Sequence, residues 1–179
     1  MKNIVFLFLA CVLLFGTSCH DKTARTELDA FKLKQNIEEQ NKQIIQRYWD
    51  GKWNERHAEI LEELQSPHVV YHGTSMEMNG LEEYKEVYQS YLSAMHDSHL
   101  TINQLIAEDD WVMSRVRLEA VHKGDMEGLP ATGKKVEVDI FTVFRLVDGK
   151  IVEEWEVMDE LGMMMQLGLE LQMKEEINE

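Results

Sequence analysis

An aspartate at the end of a strongly β-forming segment is the residue of this chain best placed for chemistry. Side chains two residues apart lie on the same face of a strand, so Ile151, Glu153, Trp155, Val157 and Asp159 are predicted to share one face. That face is mainly apolar and brings the carboxylate of Asp159 near the indole of Trp155. A carboxylate in such a place is either paired with a base or held for chemistry.

A carboxylic acid in a water-poor hollow is suited to general acid–base catalysis. Burial disfavours the charged form and raises the pKa toward the working pH, where proton transfer contributes on the order of 10²–10⁴ in rate. We therefore predict this role for Asp159, with Trp155 as an apolar wall and His72 or His122 as a hydrogen-bonding partner. The alternative for each histidine is a structural role, and the alternative for Asp159 is an ion pair with a base such as Arg145.

Other reaction classes lack their motifs. The sequence contains no glycine-rich phosphate loop, no His-Glu-x-x-His zinc motif and no Gly-x-Ser-x-Gly nucleophile motif. His96 and His99 have no third ligand at a familiar spacing, so we predict no metal site. The net charge of −15 opposes binding to nucleic acid.

The N-terminus has the pattern of a signal peptide. Lys2 precedes twelve consecutive apolar residues, Ile4 to Phe15, which are followed by Gly16-Thr17-Ser18-Cys19. The run is shorter than the roughly 20 residues that span a bilayer, but it suits a signal-peptide core. The small residues before Cys19 resemble a bacterial lipoprotein cleavage site, and the alternative is an ordinary secretory signal.

Cleavage before Cys19 would make that cysteine the lipidated first residue of the mature chain. No free thiol would then remain for a disulfide, a metal or a nucleophile. Residues 1–18 contain Lys2 and no acidic residue, so the net charge would change from −15 to −16. Such a charge is repelled by anionic headgroups, and attachment to the cell envelope would depend on the acyl chains.

The remaining chain is predicted to form one domain. Residues 19–35 are polar and are predicted to be a flexible tether, residues 36–173 a single folded domain, and residues 174–179 an acidic tail. Helical spacing of apolar residues predicts helices within 36–64, 80–95 and 161–173. Alternation predicts strands near 68–72, 100–107, 111–122, 136–145 and 151–159, and Asp148-Gly149 predicts a two-residue hairpin turn.

Several motifs in order along the chain resemble the SnoaL-like polyketide cyclase family, which belongs to the nuclear transport factor 2-like superfamily. They are Gly-Leu-Pro-Ala-Thr-Gly (128–133), Phe144-Arg145, Asp148-Gly149-Lys150-Ile151-Val152, Trp155, Asp159 and Gln166-Leu167-Gly168. The resemblance extends from about Lys42 to Leu169. It implies an α+β fold in which a cone-shaped, curved, mainly antiparallel sheet packs against N-terminal helices, as in a cystatin-like roll.

The resemblance also implies an activity: a cofactor-free intramolecular aldol condensation that closes a polyketide ring, with the aspartate matching Asp159 moving the proton. His72 matches a position where family members often place a polar group near the cavity. Family aromatics at the segment around Tyr48 usually line the cone, so Tyr48 is a candidate substrate-binding residue, with core packing as the alternative. Family cyclases often carry a histidine in the strand that resembles Asp139 to Arg145. Here Thr142 is its only neutral polar residue, so Thr142, like Trp155, is a candidate substrate-binding residue.

A second function stays open: an envelope lipoprotein that binds a small apolar molecule in its cone without reaction. The two functions differ at Asp159, because an enzyme needs an unpaired carboxylate with a raised pKa. A binding protein would pair that carboxylate with a base and leave its pKa ordinary or lowered. Pairing of two sheets through their outer faces, which gives a homodimer, is compatible with either function.

Overall fold

The computed structural model describes residues 2–126, 128–170 and 172, and side-chain environments are described from Lys22 onward. The chain divides into two compact units, residues 1–37 and residues 38–179. The first unit is helical, and its side chains from Lys22 to Ile37 are exposed. It belongs to the helix α1 (Lys2–Trp49), which begins well before the predicted start near Asn36. The stretch 19–35, predicted to be a flexible tether, is therefore helical.

Three predictions for the ends of the chain concern parts that lack described side chains. The signal peptide at 1–18 and the lipidation site Cys19 precede the first described side chain, and the acidic tail at 174–179 lies wholly outside the described residues. Among the residues that were described, no helix is both long enough and apolar enough to cross a membrane.

In its described part, the second unit contains three further helices and one sheet. A π-helical turn (Asp50–Asn54) follows α1, and the later helices are α2 (Ile60–Leu64), α3 (Leu81–Ala94) and α4 (Glu160–Leu167). The strands are β1 (Gln65–His72), β2 (Glu77–Asn79), β3 (Met95–Glu108), β4 (Trp111–His122), β5 (Lys135–Val147) and β6 (Lys150–Met158). The sheet order is β2-β1-β6-β5-β4-β3, and only the β1–β6 pair is parallel among the described strands. The predicted α+β class is confirmed.

Local sequence chemistry explains where the central hairpin turns. Asp148 has φ 49° and Gly149 has φ 74°, the positive values that a two-residue turn of this type requires and that Asp-Gly tolerates. The turn joins β5 and β6 as predicted. It pairs Val147 with Lys150 and so sets the register in which β6 begins.

One face of the sheet forms the core. In β4 the side chains of Val112, Ser114, Val116, Leu118, Ala120 and His122 are buried, and in β5 those of Val136, Val138, Ile140, Thr142 and Phe144 are buried. Both predicted alternations are confirmed. The opposite face of these strands carries charged side chains, where Arg117 donates to Asp139 at 2.8 Å.

The predicted face of β6 is wrong because this strand contains a bulge. Arg145 pairs with Glu153, whereas the next residue of β5 pairs with Ile151, so Val152 is an extra residue. A shift of one residue exchanges the two faces of a strand. Ile151 is buried as expected, but beyond the bulge Glu154 is the residue that turns inward. Glu153, Trp155 and Val157 consequently lie on the outer face.

Candidate active site

A cavity opens between the helices and the inner face of the sheet within residues 38–179. The π-helical turn, α3 and α4 form one side of it, and β4, β5 and β6 form the other. Its lining is mainly aromatic and aliphatic and includes Trp49, Trp53, Tyr71, Tyr84, Tyr88, Leu118, Val138, Ile140, Met158 and Met164. Three charged residues line it: Lys52, Glu156 and Glu160, the first residue of α4.

Glu156 is held in the wall by two hydroxyl groups. The hydroxyl of Tyr71, on β1, donates to Oε1 of Glu156 at 3.1 Å, and Oγ1 of Thr142, on β5, donates to Oε2 at 3.4 Å. These bonds orient the carboxylate within a cavity that is mostly apolar. A carboxylate in these surroundings is able to accept a proton from a bound molecule.

Lys52 is buried among aromatic rings. Its side chain is only 6% exposed, and Nζ lies 5.0 Å from the ring centres of Tyr48 and Tyr84 and 5.2 Å from that of Trp49. Such contacts stabilise an ammonium ion through the negative faces of the rings. Nζ also donates to the hydroxyl oxygens of Tyr48 at 3.0 Å and of Tyr84 at 2.6 Å.

The backbone before α2 places this lysine. The π-helical turn carries Lys52 and Trp53 into the interior, while Gly51 lies against Ile60 of α2. A Cβ atom at Gly51 would come within 2.7 Å of Cγ1 of Ile60, so this close approach requires glycine. π-Helical turns often occur at functional sites.

Glu154 is completely buried and does not line the cavity. The Tyr48 hydroxyl is 3.1 Å from its Oε2, and the Tyr84 hydroxyl is 3.5 Å from its Oε1. Burial raises the pKa of Glu154 to about 7, and the charge on Glu156 adds to the rise, while Lys52 and the two hydroxyls oppose it. Burial, followed by the nearby Glu154, holds the pKa values of Tyr48 and Tyr84 well above their usual range.

The predicted placement of Asp159 in a dry hollow is wrong. Asp159 is exposed and caps the first turn of α4, where its Oδ1 accepts from the backbone N–H of Gly162 at 2.8 Å. Strand β6 ends at Met158, and the chain then turns into the helix. The free N–H groups of that first turn attract the carboxylate.

Trp155 and His72 also lie outside the cavity. Their rings stack on the outer face of the sheet, with centres 5.0 Å apart and planes 15° from parallel. His72 Nε2 lies 3.4 Å from Oε1 of Glu153. The predicted apolar wall and one of the two predicted histidine partners are therefore wrong, because the bulge turns Trp155 outward and β1 presents His72 on the same side.

His122 is completely buried but does not line the cavity. Its Nδ1 accepts from the backbone N–H of Thr132 at 3.3 Å and lies 3.1 Å from Oγ1 of the same residue. Among the described residues, its Nε2 has no hydrogen-bond partner. The predicted role of His122 as a hydrogen-bonding partner in the cavity is therefore wrong, since β4 carries its side chain into the interior beside the turn at 132–134.

Tyr48 and Thr142 contact the charged groups but do not themselves line the cavity. Tyr48 contacts Glu154 and Lys52, and Thr142 contacts Glu156. Their predicted substrate-binding role stays a prediction. The described residues contain no group of three side chains that would hold a metal ion.

Three functional candidates were not predicted from the sequence: Lys52, Glu154 and Glu156. A signal for the glutamates was present, because Glu153, Glu154 and Glu156 occupy both faces of the strand. Whichever face turned inward would carry a carboxylate. For Lys52 the signal was its position four residues after Tyr48, on the apolar side of the first helix.

Comparison with known proteins agrees with this architecture. The family described as SnoaL-like polyketide cyclase matches residues 43–167. The aklanonic acid methyl ester cyclase DauD of Streptomyces sp. (strain C5) is 27% identical over 129 residues, which cover 71% of this chain and 78% of DauD.

Two solved structures have a similar fold. A SnoaL-like protein from Jannaschia sp. CCS1 superposes with a TM-score of 0.70 at 22% identity, over 75% of this chain and 96% of that protein. TsrD from Streptomyces laurentii superposes with a TM-score of 0.65 at 25% identity, over 72% of this chain and 95% of TsrD. The predicted nuclear transport factor 2-like fold is confirmed. Because the family match spans well over half of its residues, the chain belongs to the SnoaL-like polyketide cyclase family.

Proposed function

We propose that this protein is an enzyme that performs cofactor-free general acid–base chemistry on a small apolar carbonyl compound. Glu156 is the base: it removes a proton from a carbon next to a carbonyl group. The observation that carries the proposal is the carboxylate of Glu156 in the wall of a mainly apolar cavity, oriented by Tyr71 and Thr142. Glu156 thus takes the role predicted from the sequence for Asp159.

The charge that develops on the substrate oxygen needs a donor, and Lys52 supplies it. Its ammonium group lies in the same cavity and is fixed by Tyr48 and Tyr84, so it requires little reorganisation when the enolate forms. A fixed positive charge in a water-poor site stabilises an oxyanion more strongly than the same charge in water.

An intramolecular aldol condensation fits this arrangement without a co-reactant. The proton moves from carbon to Glu156, the resulting enolate carbon forms a bond to a second carbonyl carbon, and that carbonyl oxygen then takes the proton back from Glu156. The product is an isomer of the substrate. The relationship to DauD, an aklanonic acid methyl ester cyclase, supports a ring closure of this class.

The test is incubation of the full chain with aklanonic acid methyl ester. Chromatography coupled to mass spectrometry then looks for a separate product of unchanged mass. Glu156→Gln should lower kcat by about 10²–10⁴, the usual contribution of a general base. The matched control is Glu153→Gln, on the outer face of the same strand, which should stay within a few-fold of wild type. Wild-type turnover by Glu156→Gln would contradict the proposal.

A second candidate function is binding without reaction. The lining of aromatic and methionine side chains, and the hydroxyl partners that Glu156 and Lys52 already have, would suit a carrier of an apolar ligand. Mass spectrometry of ligands that copurify with the protein distinguishes the two. A retained ligand without turnover, and equal affinity in Glu156→Gln, would favour the carrier.

A further inference from the structure

The ammonium group of Lys52 has a hydrogen-bonding direction that the described protein groups leave unused. A lysine ammonium carries three N–H donors. Among the described residues, the acceptors of Nζ are the hydroxyl oxygens of Tyr48 and Tyr84, at 3.0 and 2.6 Å. Of the rings around Nζ, those of Trp49, Tyr84 and Tyr88 line the cavity. A molecule in the cavity is therefore placed to accept from Lys52.

The charge of Glu154, which shares two tyrosine hydroxyls with Lys52, changes with pH. Glu154 does not touch Nζ directly; it contacts the same two hydroxyls, with Tyr48 3.1 Å from Oε2 and Tyr84 3.5 Å from Oε1. When Glu154 is ionised, its charge balances that of Lys52 through the tyrosines. When Glu154 is protonated, the charge of Lys52 is left for a ligand.

We propose that the cavity recognises ligands by an anionic oxygen, a carboxylate or an enolate, bound to Lys52, and that Glu154 takes up a proton as they bind. The inference rests on the proposed function only in placing a small molecule in this cavity. Its test measures binding, so its failure is distinguishable from an absence of turnover.

The titratable and charged groups that face Glu154 come from several elements. Those facing it are Tyr48 from α1, Lys52 from the π-helical turn, Tyr84 from α3, Tyr71 from β1 and, on β6 itself, Glu156. Burial raises the pKa values of the three tyrosines, so they stay neutral near pH 7. Glu156 is the remaining carboxylate, and the test separates it from Glu154.

Linkage fixes the direction of the pH effect. An anion beside Lys52 favours the protonated form of Glu154, so proton uptake by Glu154 must favour the anion by the same factor. Since the pKa of Glu154 is about 7, anion binding should weaken as the pH rises through neutrality. A neutral ligand of the same shape should show much less of this dependence.

The experiment is calorimetric titration of the full chain with 2-naphthoate and with 2-naphthamide, a neutral molecule of nearly the same shape. At about pH 6, 2-naphthoate should bind about tenfold more tightly than 2-naphthamide. The reason is that an N–H of Lys52 then donates to a charged rather than a neutral oxygen. The affinity for 2-naphthoate should fall several-fold to about tenfold by pH 8, with proton uptake seen as a dependence of the heat on the buffer.

Three variants separate the roles of the charged groups. Glu154→Gln should keep the preference for the carboxylate and lose its pH dependence. Glu156→Gln should retain a pH dependence, displaced to lower pH because the charge on Glu156 contributes to the raised pKa of Glu154. Lys52→Met should bind the two probes equally. If Lys52→Met does not fold, as judged by its thermal melt, the Glu154→Gln result decides.

Three results would overturn the proposal. The first is equal affinity of wild type for the two probes at pH 6. The second is a failure of 2-naphthoate to bind at millimolar concentration. The third is an unchanged pH dependence in Glu154→Gln, which would move the titrating group elsewhere.

Discussion

The hydroxyl oxygen of Tyr48 lies 3.1 Å from Oε2 of Glu154, and both side chains are completely buried. Tyr48 comes from the helix that enters the second unit, and Glu154 comes from the strand β6, 106 residues later in the chain. The contact thus joins the first helix to the sheet through a carboxyl group that changes charge near neutral pH. Both the stability of the domain and its interior charge depend on this proton.

The first prediction concerns stability and pH. The folded pKa of Glu154 is about 7, above its ordinary value of 4.5, so between these values the folded state binds more protons than the unfolded state. The free energy of unfolding should therefore fall as the pH rises through that window, by roughly 3 kcal/mol. Urea unfolding at a series of pH values measures it.

Glu154→Gln should lack this part of the pH dependence. The matched control, Glu153→Gln, removes a glutamate from the outer face of the same strand and should retain the wild-type difference. If the free energy of unfolding changes equally with pH in wild type and in Glu154→Gln, the raised pKa of Glu154 is contradicted.

The second prediction concerns Asp159, which acts as a helix cap in this structure. Asp159→Ala should lower the free energy of unfolding by about 1 kcal/mol, whereas Asp159→Asn should change it by only a few tenths, because asparagine caps equally well. Neither substitution should reduce turnover more than a few-fold, since the side chain is exposed and outside the cavity. Loss of turnover by two orders of magnitude in a stable Asp159→Asn protein would indicate that Asp159 takes part in the reaction.

The third prediction concerns the outer apolar patch, defined as Trp111, Met113, Phe141, Val143 and Val157. These side chains are 36–59% exposed, and they adjoin across strands, with Met113 opposite Val143 and Phe141 opposite Val157. A contiguous exposed patch of this kind favours association with a second copy. We expect a homodimer in solution that Phe141→Lys converts to monomer, as measured by light scattering.

A suitable control for the patch is Leu161→Lys. Leu161 is 50% exposed and lies on α4, away from the patch, so this substitution should leave the dimer intact. A wild-type protein that stays monomeric at about 100 μM would rule out the dimer.

The fourth prediction concerns attachment to the cell envelope, which we propose takes place through lipid on Cys19. Expressed in a bacterium, the wild-type chain should fractionate with membranes and yield an acylated N-terminal peptide beginning at Cys19. Cys19→Ser should abolish the acylation. Cys11→Ser, which changes the other cysteine of the sequence inside the predicted signal peptide, should retain it. A soluble, unacylated wild-type protein cleaved elsewhere would indicate an ordinary secretory signal.

Much of the sheet was predictable because its determinants are local. The alternation in β4 and β5 places branched and aromatic side chains on one face, and burial of that face follows directly from their transfer out of water. The Asp148-Gly149 turn supplies the positive φ values that close the hairpin. The motifs of the family lie in the same region, so the fold was recognisable from them.

The inward face of β6 was not predictable in the same way. Apolar content favoured the face of β6 that carries Ile151, Trp155 and Val157, and the structure places the last two on the outer surface. Alternation assumes an unbroken strand, and Val152 breaks it. Asp159 was likewise assigned to the strand, although its carboxylate caps the helix that follows.

The sequence by itself determined the class of fold, the faces of two strands, the hairpin turn and the family. Only the tertiary structure decided which carboxylates face the cavity. The pairing of β6 depends on β5 on one side and β1 on the other, and it includes the extra residue at Val152. The site also draws Lys52, Tyr84 and Glu154 from segments far apart in the chain, and a local pattern carries no information about such contacts.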